Sequence, residues 1–338
     1  MDEKGCKVKI MNNIQTIVVT GGAGFIGSCI VRTLNDEGID DIIIVDNIAS
    51  TEKWKNLSNK KYREYIHKNN FLERLNNGEF KHISAIIHMG ACSSTTQTNF
   101  DYLWENNVIY TQTLWLYCSK NEIPFIYASS AATYGMGDKG FSDAINKIDE
   151  LRPLNAYGYS KQVFDQWSMK QKEMPPQHVG LKFFNVYGPN EYCKGSMASM
   201  VFHGYHQLKQ TNKISLFRSE NKYYADGEQK RDFVYVKDVC NVILYFFKHP
   251  EYSGIFNVGT GQAQTFLDLA YALFYSLGKN VSIDFFSMPA ELKEKYQYYT
   301  QADISSLRNI GYTSPFFNIK QGVEDYIQNF IEQDYAIY

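Results

Sequence analysis

A β-branched run, Thr16-Ile17-Val18-Val19, feeds directly into Thr20-Gly21-Gly22-Ala23-Gly24-Phe25-Ile26-Gly27 and then into an amphipathic stretch. Glycine at every third position between a strand and a helix is the pattern of a turn that carries a pyrophosphate. Gly21 permits the tight turn, Gly24 lets the main chain approach the phosphates, and Gly27 lets helix and strand pack closely. Peptide N–H groups at the helix start supply the positive pole. Asp46 ends the next apolar run, about 20 residues on, where a ribose hydroxyl is expected. An acid there favours NAD by repelling a 2′-phosphate, yet Asn47, Lys53 and Lys68 offer groups to that phosphate, so NAD and NADP both stay open. Beside Lys55, Lys60 and Lys61, the two lysines also read as a solvated basic face.

The strand-and-helix alternation continues downstream. Near-continuous apolar runs at 42–46, 85–88, 125–129 and 179–184 predict strands covered on both faces, and the periodicity predicts helices over 25–36, 106–120 and 156–171. Such alternation implies right-handed crossovers and an α/β fold, a Rossmann-like doubly wound parallel sheet. After Pro189 the pattern loosens. Helices are expected over 195–210, 238–248, 265–277 and 318–332, strands at 254–258 and 281–285, and a loop-rich stretch over 215–231. With 338 residues, two lobes fit the usual domain size of roughly 100 to 200 residues. The expected division is an N-terminal extension, 1–15; a dinucleotide-binding domain, 16–188, to which 237–261 returns; and a smaller α/β substrate-binding lobe, 189–236 with 262–338.

Charge narrows the partners. Lys and Arg number 34 against 36 Asp and Glu, a net −2 that lacks the basic excess needed to hold a nucleic acid backbone. The longest uncharged apolar run, near 42–45, falls far short of the roughly 18 residues of a membrane span. Met1-Asp2-Glu3-Lys4 opens no apolar leader, and Cys6, Cys29, Cys92, Cys118, Cys193 and Cys240 form no C-x-x-C pair. Reduced thiols in the cytoplasm are the expectation, without a membrane partner. His203 and His206 sit three apart in an expected helix, but two ligands do not make a zinc site, and no metal is expected.

Tyr157-Gly158-Tyr159-Ser160-Lys161 puts a phenol and an ammonium one helical turn apart. A phenol titrating near 10 is a poor base at neutral pH, but a neighbouring cation favours the phenolate and makes proton abstraction from an alcohol feasible. The 125–129 strand runs into Ser130, at the sheet edge where ligands of open α/β folds bind, and Ser130 can hydrogen-bond a reacting oxygen. Without that context the Tyr157–Lys161 pair reads as a surface contact.

These residues resemble the extended short-chain dehydrogenase/reductase superfamily, which shares the T-G-x-x-G-x-x-G turn, the serine and Y-x-x-x-K. A closer resemblance, to the ADP-L-glycero-D-manno-heptose 6-epimerase family, rests on longer strings. They are His88-Met89-Gly90-Ala91-Cys92-Ser93-Ser94-Thr95-Thr96, Asn155 to Lys161, Phe184-Asn185-Val186-Tyr187-Gly188-Pro189, Lys194-Gly195-Ser196-Met197-Ala198-Ser199, and Tyr296-Gln297 through Thr300-Gln301-Ala302-Asp303. The resemblance spans nearly the whole chain from Thr16. It implies epimerisation at C6″ of an ADP-heptose in lipopolysaccharide core supply, through a transient ketone and a tightly held NADP, in a homo-oligomer, possibly a homopentamer. A sibling sugar-nucleotide enzyme, such as a 4-epimerase, a GDP-heptose epimerase or a reductase, is the alternative.

The same resemblance assigns proton transfer to Tyr157 and Lys194, with Lys161 and Ser130 assisting. It assigns the cofactor to Gly21, Gly24, Phe25, Ile26, Gly27, Asp46, Asn47, Lys53, Lys68, Met89, Gly90, Ala91, Cys92, Ser93, Asn106, Lys161, Val186 and Lys194. It assigns the substrate to Ser130, Asn185, Ser196, His203, Phe217, Arg218, Ser219, Glu220, Arg231 and Tyr296. Taken alone, Lys194 is a solvated loop charge, whereas the guanidinium of Arg231 suits a diphosphate, with a surface ion pair to Asp232 as the alternative. The chain departs from the family at Met89, where an acid is common, at 217–220, and in a longer loop over 221–230.

Overall fold

The computed structural model describes residues 16–338 apart from 81, 294 and 295, so the expected extension 1–15 lies outside the described residues. Seven parallel strands form the central sheet in the order β11-β6-β5-β4-β1-β2-β3. They are β1 (Thr16–Thr20), β2 (Ile42–Asp46), β3 (Glu64–His67), β4 (Ile83–His88), β5 (Phe125–Ser130), β6 (His178–Phe183) and β11 (Gly254–Val258). Helix α1 (Phe25–Asp36) connects β1 to β2. This is the expected Rossmann-like doubly wound α/β sheet.

Why β1 and β2 sit inside the sheet rather than at its edge follows from their side chains, since every residue of both is buried and both faces must be covered. Strand β3 and the helix after it, α2 (Lys68–Asn76), escape the periodicity argument. In β3 only Ile66 is buried, because an edge strand needs one apolar position rather than a run, and α2 buries only Phe71 and Leu75. A helical stretch that the sequence suggests from 106 begins earlier: Phe100–Leu103 passes through a wide π turn, Trp104–Ile109, into α3 (Tyr110–Lys120).

Two apolar layers sandwich the sheet. On one side Cys29, Ile30 and Leu34 of α1 pack with Cys240 and Ile243 of a later helix over Ile17, Val19 and Ile44. On the other, Trp115, Phe125, Tyr127 and Phe164 interlock. Each such side chain removed from water contributes about 1.5–3 kcal/mol, which pins the strands in register. Thr20 lies opposite His88, and Ser130 opposite Phe183. The carboxyl ends therefore meet along one edge, and the turns that leave them converge there.

The second half corrects two expectations. The helix expected from Gly195 starts instead at Met200: α5 is Met200–Thr211, capped by Ser199, because Gly195, at φ +54°, kinks the short turn Tyr192–Met197. The stretch 215–231 is less loop-like than expected. It contains β8 (Ile214–Phe217), paired in parallel with β13 (Ile283–Phe286), and β9 (Lys230–Arg231), paired antiparallel with β12 (Gln264–Thr265). A further pair, β7 (Asn185–Tyr187) with β10 (Phe233–Tyr235), is also parallel. Helices α4 (Ala156–Ser168), α6 (Val236–Lys248) and α7 (Phe266–Ser276) complete the packing.

Candidate active site

A cleft of about 520 Å³ opens along the carboxyl edge of the sheet, with a second of about 160 Å³ beside it, sharing Gly21, Asp46 and Lys53. The glycine turn shapes its floor. At Gly21, with φ +66°, a Cβ would lie 2.7 Å from the Gly90 nitrogen, and at Gly27 it would lie 2.0 Å from the Gly21 carbonyl oxygen. The turn thus folds against its neighbouring loop with no room for a side chain, leaving a main-chain cradle of the kind a pyrophosphate needs. Phe25 to Gly27 continue this wall at the start of α1, where the helix dipole is positive.

Every residue expected to hold a dinucleotide lines one of the two clefts: Asn47, Lys68, Cys92 and Asn106 the smaller, the others the larger or both. Asp46 differs from the simple expectation of a free ribose acceptor. Its Oδ2 accepts from the Ala23 N–H at 2.9 Å, and its Oδ1 accepts from the Asn47 N–H at 2.7 Å and from Lys53 Nζ at 2.6 Å. The carboxylate ties the glycine turn to the second strand, and Lys53 offsets its charge. Lys68 Nζ donates to Asn106 Oδ1.

Asn155 caps α4 by accepting from the Gly158 N–H at 2.8 Å, which sets Tyr157 and Lys161 in the first two turns facing the cleft. Tyr157 hydrogen-bonds Ser130, whose Oγ also accepts from the Ala132 N–H at 3.1 Å. Lys161, 5% exposed, donates to the Ala128 carbonyl at 2.8 Å. Burial pushes the Tyr157 phenol above its ordinary value, and the Ser130 hydrogen bond only partly opposes this. Burial brings the Lys161 ammonium down to about 8, against the pull of Asp165. The lowering of the phenol expected from its neighbouring lysine is not what sets it: desolvation raises it, and the opposing influence comes from Ser130.

Lys194 reaches the same cleft from an unconnected segment. Glu191, fully buried, staples that segment: it accepts from the Gly188 N–H at 3.2 Å and from the Ser199 N–H and hydroxyl at 2.6 and 2.7 Å. The Lys194 ammonium lies 5.8 Å from the Phe25 ring centre, and burial lowers its pKa against the charge of Glu191. A solvated loop lysine would show neither feature.

Of the residues expected at the substrate, Ser130 and Asn185 line the main cleft, whereas Ser196, His203, Phe217, Arg218, Ser219, Glu220, Arg231 and Tyr296 line neither. Arg231, Tyr296 and Phe217 still cluster beside it. Arg231 is 8% exposed and stacks over Tyr296 at 5.2 Å and over Phe266, a cleft residue, at 5.7 Å; Phe217 meets Tyr296 edge-on. Asp232 is not its partner, being held by Thr260, Gly261 and Ala302. Among the described residues no carboxylate lies within ion-pair distance of Arg231. Arg218 donates to the Phe285 carbonyl, Ser219 to the Asn221 carbonyl, and Glu220 pairs with Lys293 at 2.5 Å, so these three are engaged in their own surroundings.

Sequence reasoning misses Asn107, Asn56 and Asn190. Asn107 sits in the π turn, holds both the N–H and the carbonyl of Cys92 at 2.8 and 3.0 Å, and donates to Ser160 Oγ. Asn56 donates to the Ala23 and Asn190 carbonyls and, with Asn190, lines the main cleft. Only Asn190, directly after a proline and at φ +73°, leaves a local trace in the sequence. Among the described residues no cluster of His, Cys, Asp and Glu could hold a metal ion, and no helix is long and apolar enough to cross a membrane.

Known proteins are similar to this chain over nearly its whole length. An ADP-L-glycero-D-manno-heptose-6-epimerase of Fusobacterium nucleatum is 49% identical over 327 residues, covering 94% of this chain and 98% of the relative. One from Nitratidesulfovibrio vulgaris is 45% identical over 315 residues, covering 93% and 97%. Among solved structures, the Helicobacter pylori ADP-L-glycero-D-manno-heptose-6-epimerase superposes with a TM-score of 0.78 at 29% identity, covering 94% of this chain and 96% of that one. The fold extends to a UDP-glucose 4-epimerase of Thermus thermophilus in complex with NAD, with a TM-score of 0.74 at 23% identity, covering 93% and 98%. The sequence profile of the NAD dependent epimerase/dehydratase family matches residues 17–259, and the chain belongs to that family.

Proposed function

We propose that this enzyme converts ADP-D-glycero-D-manno-heptose to ADP-L-glycero-D-manno-heptose at C6″ through a transient 6″-ketone, with NADP tightly held. The observation that carries this reading is the meeting of two proton carriers from unconnected elements, Tyr157 of α4 and Lys194 of the 188–199 loop, in one cleft. C6″ bears no acidic proton, so inversion by deprotonation is closed to it. When bound, the nicotinamide supplies reversible hydride acceptance. Tyr157, steadied by Ser130, takes or returns the hydroxyl proton on one face of the exocyclic carbon, and Lys194 does so on the other. Burial readies Lys194 for this task by lowering its pKa. Because burial holds Tyr157 up, its phenolate relies on a positive charge at the nicotinamide as well as on Lys161.

The family points to a nicotinamide dinucleotide, and three features favour NADP: Asp46 is charge-paired, and Lys53 and Lys68 border the smaller cleft. The buried guanidinium of Arg231, which donates to the Lys230 carbonyl but has no carboxylate partner among the described residues, suits the diphosphate of the sugar nucleotide, to which it can fork two hydrogen bonds. We assign residues 16–188 with 237–261 to the dinucleotide and 189–236 with 262–338 to the sugar nucleotide. The same reading carries a cytoplasmic homo-oligomer, a pentamer by resemblance, which light scattering decides. For the activity itself, purified protein is incubated with ADP-D-glycero-D-manno-heptose and no added nicotinamide while C6″ is followed by NMR. Inversion supports the proposal; an unchanged centre refutes it.

A further inference from the structure

Beneath the cleft lies an ion pair that the mechanism above does not use. Lys182 of β6 and Asp165 of α4 are 2% and 0% exposed and meet at 2.7 Å. Apolar residues of similar volume would pack there at least as stably, because taking both charges out of water is costly. What surrounds the pair suggests its use. Asp165 lies one helical turn beyond Lys161, which lies one turn beyond Tyr157, so the three form a column on α4. Asp165 accepts from the Ser129 hydroxyl at 2.6 Å and from the Tyr127 hydroxyl at 3.2 Å. Lys182, opposite Ser129 in the sheet register, donates a second bond at 2.8 Å to Thr133 Oγ1, which itself donates to the Ser130 carbonyl at 2.9 Å.

Ser129 and Ser130 are thus gripped from below on both sides by one pair of opposite charges. We infer that Asp165 and Lys182 are positioning residues for the epimerisation, holding Ser130 against Tyr157 and balancing the charge behind Lys161. The inference rests on the proposed roles of Tyr157, Ser130 and Lys161. The other groups facing this site are the Ala128 carbonyl and Tyr127 from β5, His88 from β4, Cys92 from the loop after it, and Tyr134, whose ring lies 5.3 Å from the Lys182 ammonium. None of these supplies a charge that replaces Asp165. Its carboxylate holds the Lys161 pKa up, while burial brings it to about 8.

Lys161 ionisation is followed by lysine Cε NMR of the whole enzyme, assigned with Lys161→Met, alongside the pH profile of kcat. Asp165→Asn strands the Lys182 ammonium and is expected to move the Lys161 midpoint down by about one unit or more. Lys182→Met strands the carboxylate and is expected to move it up. A role in packing alone would move both the same way or not at all, and either outcome overturns the inference. Stranded charges can also prevent folding, so the double variant, Asp165→Asn with Lys182→Met, removes them together. It is expected to restore the midpoint to within about half a unit, yet lose at least about tenfold in kcat with little change in KM, since the grip on Thr133 and Ser130 is gone. A double variant with parental kcat overturns the inference. Parent enzyme that fails to invert C6″ refutes the functional reading instead, and the Lys161 titration, which needs no substrate, still decides this one.

Discussion

Replacing His88 by asparagine is expected to remove part of the acid sensitivity of the fold. His88 ends β4 directly before the cleft loop 89–93, and its ring is 1% exposed between Tyr110 and Phe125. The hydrogen bonds assign its tautomer. Thr20 Oγ1 accepts from the Gly90 N–H at 3.1 Å and donates to His88 Nδ1 at 2.6 Å; Nε2 donates at 3.0 Å to Thr111 Oγ1, which donates to the Asn107 carbonyl. A proton on Nδ1 would break this chain, and burial with the nearby Lys161 charge holds the imidazole down at about 3. Its unfolded counterpart titrates near 6.5. A base whose folded pKa is depressed contributes stability that is intact above about 6.5 and is lost as the pH falls toward 3. At pH 4.5 the unfolded imidazole is charged and the folded one is not, a difference of about two units, or roughly 2 to 3 kcal/mol. Urea unfolding at pH 7.5 and pH 4.5 measures it. The parent should lose that much more stability between the two pH values than His88→Asn does. Equal losses would refute the assignment of a neutral, buried imidazole.

Tyr157→Phe should lower kcat by about 10²- to 10⁴-fold while the protein still retains its dinucleotide. Lys194→Met should block inversion to a similar degree yet still let the sugar nucleotide reduce the bound nicotinamide, read by its near-UV absorbance; parental turnover in either variant contradicts its assigned role. Arg231→Lys keeps the charge but loses the planar fork over Tyr296, so KM should rise about tenfold or more with a smaller change in kcat. Denaturing the parent and weighing the released dinucleotide should find NADP, and Lys68→Ala should weaken NADP retention more than NAD retention; equal weakening would count against a phosphate contact.

What the sequence revealed, and what it hid, follows from how far each interaction reaches along the chain. β1 and β2 were legible because continuous burial writes itself into a run of β-branched residues, and the glycine turn because its spacing has few other uses. Strand β3 was not, since an edge strand needs only Ile66 inside. The break at Gly195 depends on a positive φ that a glycine permits but does not announce. The arginine site was half legible: Arg231 stood out, but its aromatic supports, Phe266 and Tyr296, lie 35 and 65 positions away. Asp46 looked like a ribose ligand because its engagement by Ala23 and Lys53 is a tertiary fact. Asp165 and Lys182 gave no signal at all, because only the β5–β6 register brings Ser129 and Lys182 under the same helix.

Deuterium placed at C6″ of ADP-D-glycero-D-manno-heptose tests the retained-hydride mechanism most directly. If the hydrogen leaves as hydride and returns from within the cleft, the L-glycero product made in ordinary water carries the full label at C6″. Label lost to solvent at the rate of inversion would contradict the account, because it would mean that the carbon is deprotonated rather than oxidised.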